Sequence, residues 1–173
     1  MKITWFGQSC FRLHYGGQIV VIDPEAAPEG IDGVELVSGA DRIVRLGAVD
    51  VPAFDAQGWA PKRKLRMIDE GEAGAPEVSR LDGGLVIESG DEASLVLLAG
   101  AGAPAFGLWA DDAVLVVAGA DALGAAEAAL RGARVKLVAL AVDGDVDAAV
   151  ARLKPLLGRA GLMVLEAGLA LEV

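Results

Sequence analysis

The sequence has very few of the side chains that most metal and disulfide sites use. Its 173 residues include one cysteine and one histidine. A single cysteine cannot form an internal disulfide, and one cysteine with one histidine supplies too few ligands for a typical zinc site. We therefore expect no disulfide framework, no metal and no other cofactor.

Basic side chains are also scarce, with 15 Lys and Arg against 25 Asp and Glu, a net charge of −10. A nucleic-acid-binding protein needs a basic surface, so we expect no nucleic-acid partner. Disorder is excluded because 54% of the residues are hydrophobic. This length and composition predict one domain, residues 1–173, with a proper core.

Long uninterrupted apolar runs are missing too. The first eight residues lack the apolar region of a signal peptide. The stretch Leu95–Ala110 has no charged residue, but Pro104 and three glycines break it, so it does not read as a membrane-spanning helix. We expect a cytoplasmic protein that does not contact membranes.

Hydrophobic patterning predicts a strand-dominated α/β (α+β) fold with two helices, both in the second half. Asp121 would cap a helix to about Leu130, and Asp145 or Asp147 would cap one that Pro155 shortens. Two acidic connections, Pro24–Gly33 and Asp69–Gly84, are expected to be loops. About ten strands are expected, the last two as a closing hairpin: Ile3–Gly7, Cys10–Tyr15, Gln18–Ile22 after a Gly16-Gly17 turn, Asp41–Leu46, Lys64–Ile68, Leu85–Glu88, Ala93–Leu98, Ala113–Ala118, Val135–Val142, Leu162–Leu165 and Leu169–Val173.

Several short motifs fit a function only in part. Gly100–Ala105 formally fits G-x-G-x-x-A, but Pro104 and Gly107 interrupt the helix that a dinucleotide site would need, which favours a tight surface turn. Asp143–Asp147 begins like a calcium loop, but Ala148 and Lys154 stand where such a loop needs glycine and glutamate, which favours a turn and a helix cap. His14 is interpreted as a packed or surface residue and Cys10 as a small buried apolar residue. Ser9 has no context for a serine triad.

The first 24 residues resemble the opening of the metallo-β-lactamase superfamily, in its lactonase-like branch of metal-dependent hydrolases. The similar segments are Met1–Leu13, which matches a K-I-T-W-L-G-H-S-C-F run, and Ile19–Pro24, which matches I-L-I-D-P. Weaker similarity continues at Gly39–Val44, Gly84–Glu88, Leu98–Gly102 and Val114–Val135. The resemblance implies an αββα sandwich, here reduced in helices.

The motifs that would bind the metal are missing. The family's H-x-H-x-D-H motif would fall at about Arg45–Pro52, where only Asp50 can be a remnant. The bridging aspartate would fall at Ala101, the late histidine after Val135–Val142 is absent, and the opening G-H-S is Gly7-Gln8-Ser9. The resemblance therefore implies the fold without the hydrolase activity.

Three hypotheses follow. The leading one is a degenerate, non-catalytic domain that binds a small molecule or a protein partner. The second is a residual metal-dependent hydrolase that uses carboxylates around the old cleft, with Asp23, Asp50, Asp111 and Asp112 as candidates. The third is a structural oligomer subunit. We also expect a homodimer, because few helices are available to cover an apolar outer face of the N-terminal sheet, and a structural role for Asp23 in the turn at Asp23-Pro24.

Overall fold

A computed structural model describes residues 1–61, 75–90 and 92–173. The strands of these residues form two sheets. The first sheet has the strand order β11-β1-β2-β3-β4, antiparallel except for the parallel β3–β4 pair. Its strands are β1 Lys2–Gly7, β2 Cys10–Tyr15, β3 Gln18–Ile22, β4 Arg42–Val44 and β11 Ala170–Glu172.

The second sheet has six strands in the order β10-β9-β8-β7-β6-β5. Strands β7 to β10 run parallel, and the β5–β6 and β6–β7 pairs are antiparallel. Its central strands are buried almost throughout, as their continuous apolar runs predict. The strands are β5 Glu77–Leu81, β6 Gly84–Glu88, β7 Leu95–Leu98, β8 Val114–Ala118, β9 Leu137–Ala141 and β10 Gly161–Val164.

Three α-helices occur in the described residues: α1 Gly33–Val37, α2 Leu123–Gly132 and α3 Val146–Leu153. The carboxylate of Asp145 caps α3 by accepting from the Ala148 N–H at 2.8 Å, as predicted, and the helix tightens into a 3-10 turn at Pro155. The predicted cap of α2 is wrong. Asp121 lies inside a 3-10 turn that precedes the helix, so the cap position falls on Ala122, whose side chain cannot accept a hydrogen bond.

Apolar side chains form layers between these elements. The main layer lies between the two sheets, and a second packs α2 and α3 onto the outer face of the six-stranded sheet. A small third layer, built on Cys10, Val21 and Leu36, lies on the outer face of the five-stranded sheet beneath α1. The fold is therefore of the α+β class, with two packed mixed sheets and few helices.

Two predicted connections are wrong. The segment Asp69–Gly84 contains β5, whose charged Glu77 and Arg80 make it read as a loop although Val78 is buried. The expected closing hairpin does not form, because β10 pairs parallel with β9 in one sheet and β11 pairs antiparallel with β1 in the other. The predicted strand Lys64–Ile68 lies outside the described residues.

The outer face of the five-stranded sheet is partly polar and partly covered by α1, while Ile43 of β4 is 46% exposed there. Arg12 and His14 alternate along β2 with the buried Leu13 and Tyr15, so polar side chains point outward there. Arg12 also holds α1 on this face by donating to the Leu36 and Ser38 carbonyls. The uncovered apolar surface is therefore smaller than expected, and the dimer itself stays a prediction. No helix in the described part of the chain is long and apolar enough to cross a membrane.

Candidate functional site

The first candidate site is the end of the sandwich where β3, β4, β8 and β9 finish, which we call the carboxyl end. The two sheets are linked here, because the Gln8 N–H in the β1–β2 turn donates to Asp143 Oδ2, after β9, at 3.1 Å. The Trp5 indole N–H donates to the Gln8 carbonyl at 3.0 Å, which fixes the same turn. Loops at the carboxyl ends of parallel strands commonly carry functional residues.

Asp23 lies at this end, and its carboxylate is committed to structure. Oδ2 accepts from the Ser9 hydroxyl at 2.8 Å, and Oδ1 accepts from the Leu46 N–H at 2.7 Å. Its own N–H donates to the Val44 carbonyl at 2.9 Å. The backbone is left-handed here, with φ of +44°, a conformation that Asp tolerates better than most residues. Asp23 thus ties the turn after β3 to the β1–β2 turn and to the end of β4.

Arg45 forms an exposed ion pair at this end. Its guanidinium binds the carboxylate of Glu25. This hydrogen bond lowers the pKa of Glu25, and the pKa of Arg45 is raised first by Glu25 and then by the charges of Asp23 and Asp50. Asp23 and the exposed Asp50 therefore act on Arg45 through their charge, while Glu25 is its direct partner. The sequence reasoning missed this role, although Arg45 stands five residues before Asp50.

Asp111 and Asp112 lie at the opposite end of the sandwich, before β8. The carboxylate of Asp111 accepts from the Arg134 backbone N–H at 2.8 Å and from its guanidinium at 2.6 Å, and these bonds lower the pKa of Asp111. Asp112 is exposed, and its N–H donates to the Arg134 carbonyl at 2.9 Å. The full length of β8 separates this pair from Asp23. The structure thus does not gather the four candidate carboxylates into one cleft.

The Gly100–Ala105 segment, which was predicted to be a tight turn, is a bend at Gly100 and Ala101 followed by irregular backbone that packs against the turn between β5 and β6. The Ala103 N–H donates to Asp82 Oδ2 at 2.9 Å. A Cβ on Gly102 would lie 2.2 Å from the Asp82 carbonyl oxygen, so only glycine permits this approach. A small cavity of about 180 Å³ lies beside Gly100. Its lining has no ionisable group and consists of Leu46, Gly47, Leu81, Gly83, Gly84, Ala99 and Gly100.

The remaining sequence candidates have structural explanations. Cys10 is fully buried, as predicted, and burial, assisted by the charges of Asp23 and Glu25, raises its pKa to about 11. His14 is exposed on the outer face of its sheet. Within residues 1–61, 75–90 and 92–173, no group of three or more His, Cys, Asp or Glu side chains is placed to hold a metal ion.

A larger groove, of about 710 Å³, lies outside the six-stranded sheet. The ring of Trp109 stacks on Phe106, with centroids 5.5 Å apart and planes at 23°. The indole N–H of Trp109 donates to the Ala105 carbonyl at 3.1 Å, and that of Trp59 to the buried carboxylate of Glu88 at 2.8 Å. We call this the aromatic groove; its lining is Ala56, Gln57, Trp59, Pro61, Ala105, Phe106, Gly107, Leu108 and Trp109.

The sequence reasoning missed the aromatic groove because its aromatic residues come from irregular segments without a periodic pattern. The one available signal is that two of the three tryptophans fall outside the predicted strands and helices. The chain matches no known family model and no curated protein. The function is therefore proposed from the geometry of the described residues.

Proposed function

We propose that this chain is a non-catalytic binding domain with the metallo-β-lactamase fold. The layered arrangement supports this fold, because two facing sheets with helices outside each of them are what the resemblance of the first 24 residues implies. The proposal has two parts, a hydrolytic centre that is lost and a binding groove elsewhere.

The loss of the hydrolytic centre is inferred first of all from Arg45. In the resembling family this position begins the metal-binding motif, whereas here it holds a guanidinium that stays charged at any relevant pH. Arg45 pairs with Glu25, and the charges of Asp23 and Asp50, the two candidate carboxylates of this end, also act on it. The ion pair occupies one carboxylate of this end and offsets its negative charge, which weakens the attraction for a metal cation.

The other positions at this end point the same way. Gln8 and Ala101 stand where the resemblance would place a histidine and the bridging aspartate, and the nearby cavity of about 180 Å³ has no ionisable lining residue. Asp23, the best-preserved acidic position, uses both carboxylate oxygens for the fold. The residues present do not fit the family's metal, so we derive no hydrolytic step.

The aromatic groove supports the second part of the proposal. Its volume of about 710 Å³ falls in the usual range of small-molecule sites, roughly 300–1,000 Å³. The two indole N–H groups are already bonded within the protein, and the ring of Trp109 is 4% exposed because it packs against Phe54 and Phe106. The surfaces left for a ligand are the partly exposed rings of Trp59 and Phe106 and the exposed Leu108, which favour a flat, largely apolar molecule. We therefore assign the groove to a small ligand with an aromatic or other planar apolar part.

A titration with Nile red, a flat neutral dye that brightens in apolar sites, tests the groove. We expect saturable binding to one site. Leu108 is 76% exposed at the groove, so Leu108→Glu should weaken the dye at least about tenfold. Val49→Glu is the matched control, because Val49 is 93% exposed and does not line the groove.

Equal loss of dye binding in both variants, or no saturable binding to the wild type, would contradict the assignment. Catalysis is tested separately by incubating the protein with ester, lactone and phosphodiester substrates in the presence of Zn²⁺ or Mn²⁺. We expect no turnover above buffer, and turnover that disappears in Asp23→Asn would favour the residual hydrolase.

A further inference from the structure

One acidic side chain is buried beside the aromatic groove. Glu88, at the end of β6, is 9% exposed and is the only buried carboxylate in the described part of the chain. Leu85 and Ile87 of the same strand face the other sheet and Val86 faces outward, so the alternation of β6 places Glu88 on the outer face, where the groove lies. The hydrogen bond from Trp59, a groove residue, agrees with this placement.

The carboxylate of Glu88 has no positively charged partner among the described residues. Its one hydrogen bond to them comes from the indole N–H of Trp59, which reaches Oε1 at 2.8 Å, and none of their ion pairs includes it. Charges that are buried in proteins are usually paired, because taking an ionised group out of water is costly. A neutral indole N–H balances the charge of Glu88 only in part.

Trp59 carries the influence of this carboxylate into the groove. Its partly exposed ring lines the groove, while its N–H edge is bonded to Glu88. The face of an indole ring attracts a cation, and a hydrogen bond to a carboxylate leaves the ring richer in electrons, which strengthens that attraction. A cation on this ring also lies within about 8 Å of Glu88, the distance over which charges act on each other at physiological ionic strength.

The other charges of the chain do not oppose a cation here. The lining of the groove given above contains no acidic and no basic residue, so it offers no positive group that would bind an anion. The chain as a whole has a net charge of −10, which attracts cations to its surface. Both features favour a positively charged ligand over a negative one of the same shape.

We infer that the ligand of the aromatic groove is a flat aromatic cation, whose positive charge lies on the ring of Trp59 with Glu88 as its counter-charge. The inference rests on the proposed function, since it adds the sign of the charge to a groove already assigned to a planar ligand. An N-alkylated heteroaromatic ring, or an aromatic ring with an alkylammonium group, has this chemistry. Glu88 does not line the groove and acts through Trp59, so it should determine the preference for charge and not the affinity for a neutral ring.

Displacement of Nile red at pH 7 by three probes of similar shape tests the inference. N-methylquinolinium is positive, methylnaphthalene is neutral and naphthoate is negative. We expect the wild type to bind N-methylquinolinium at least about tenfold more tightly than naphthoate. This comparison is made on the wild type alone, so it does not depend on the folding of a variant.

Glu88→Gln keeps an acceptor for the Trp59 N–H and removes only the charge. It should raise the Kd of N-methylquinolinium at least about fivefold and leave those of methylnaphthalene and Nile red within about twofold, a difference that a merely structural role would not produce. Glu172→Gln is the matched control, because it removes one exposed charge from β11, in the other sheet, and should leave all the affinities unchanged.

The outcomes separate this inference from the proposed function. No saturable binding of Nile red to the wild type would overturn the assignment of the groove and this inference with it. If Nile red binds but N-methylquinolinium and naphthoate displace it equally well, the inference alone is wrong. It is also wrong if Glu88→Gln binds N-methylquinolinium as tightly as the wild type does, or loses Nile red to the same extent.

Discussion

Replacing Asp23 by alanine tests whether this residue is structural. The change removes the acceptor of the Ser9 hydroxyl and that of the Leu46 N–H. It also places alanine at a φ of +44°, where a side chain with a Cβ and no local hydrogen bond is disfavoured. The sequence alone predicts one lost turn or cap hydrogen bond, about 1–2 kcal/mol. The structure adds a second hydrogen bond and the backbone conformation.

The cost can be estimated from these terms. A hydrogen bond to a charged group contributes about 1.5–3 kcal/mol, with the lower value suited to a partly exposed site, and the left-handed conformation costs about 1 kcal/mol. The sum is about 4 kcal/mol. For a chain of this length each kcal/mol lowers Tm by about 2–4 °C, so we expect a decrease of roughly 10 °C.

Thermal and urea unfolding of three variants separate the contributions. Asp23→Asn keeps an acceptor for Leu46, can still bond Ser9 and tolerates the left-handed backbone, so it should cost only about 1 kcal/mol. Ser9→Ala removes a single hydrogen bond and should also cost about 1 kcal/mol. If Asp23→Ala melts within about 2 °C of the wild type, the structural role of Asp23 is refuted.

Three other perturbations have defined outcomes. Gly84→Ala should lower the free energy of unfolding by at least about 3 kcal/mol, because its Cβ would lie 1.9 Å from the Leu97 carbonyl oxygen. Gly17→Ala, at a φ of +76° with open space around it, should lower it by only about 1–2 kcal/mol. Equal urea midpoints for the two variants would contradict this difference. Asp111→Asn should destabilise the protein at pH 7 but progressively less below about pH 4. The pKa of Asp111 is lower in the folded than in the unfolded protein, so its ionised form adds stability above the unfolded pKa, and this stability is lost as the pH falls through the folded pKa. An equal loss of stability at pH 7 and pH 3 would argue against the Arg134 pair. Cys10 should react with Ellman's reagent only after denaturation, because it is fully buried and its pKa of about 11 leaves little thiolate at pH 8, and rapid labelling of the folded protein would disprove its burial.

The sequence predicted most strands because their signals are local. Cys10–Tyr15 and Gln18–Ile22 flank Gly16-Gly17, whose positive φ values form the hairpin turn, and their observed bounds equal the predicted ones. Ala113–Ala118 was recognised because a strand buried on both faces is continuously apolar. Strand pairing is not a local property, however. β10 and β11 are close in sequence yet belong to different sheets, because β10 pairs with the preceding strand β9 whereas β11 pairs with β1, at the other end of the chain.

The candidate site was harder to predict for a related reason. Asp23 could be placed from its Asp-Pro turn, but its two partners come from the β1–β2 turn and the end of β4. Asp111 was a candidate for the same cleft, and only the parallel order of β7, β8 and β9 shows that it lies at the far end of the sandwich. Side chains that meet through sheet topology leave no spacing pattern in the sequence.

Elemental analysis of the purified protein tests the central claim, the loss of the hydrolytic centre, most directly. The wild type should be purified from medium supplemented with zinc, iron and manganese, and dialysed against a mild chelator. We expect each metal far below one atom per chain, because Arg45 pairs with Glu25 at the end of the sandwich where the proposed metallo-β-lactamase fold would place its metal. About one atom of any of these metals per chain, retained through the dialysis, would contradict the claim.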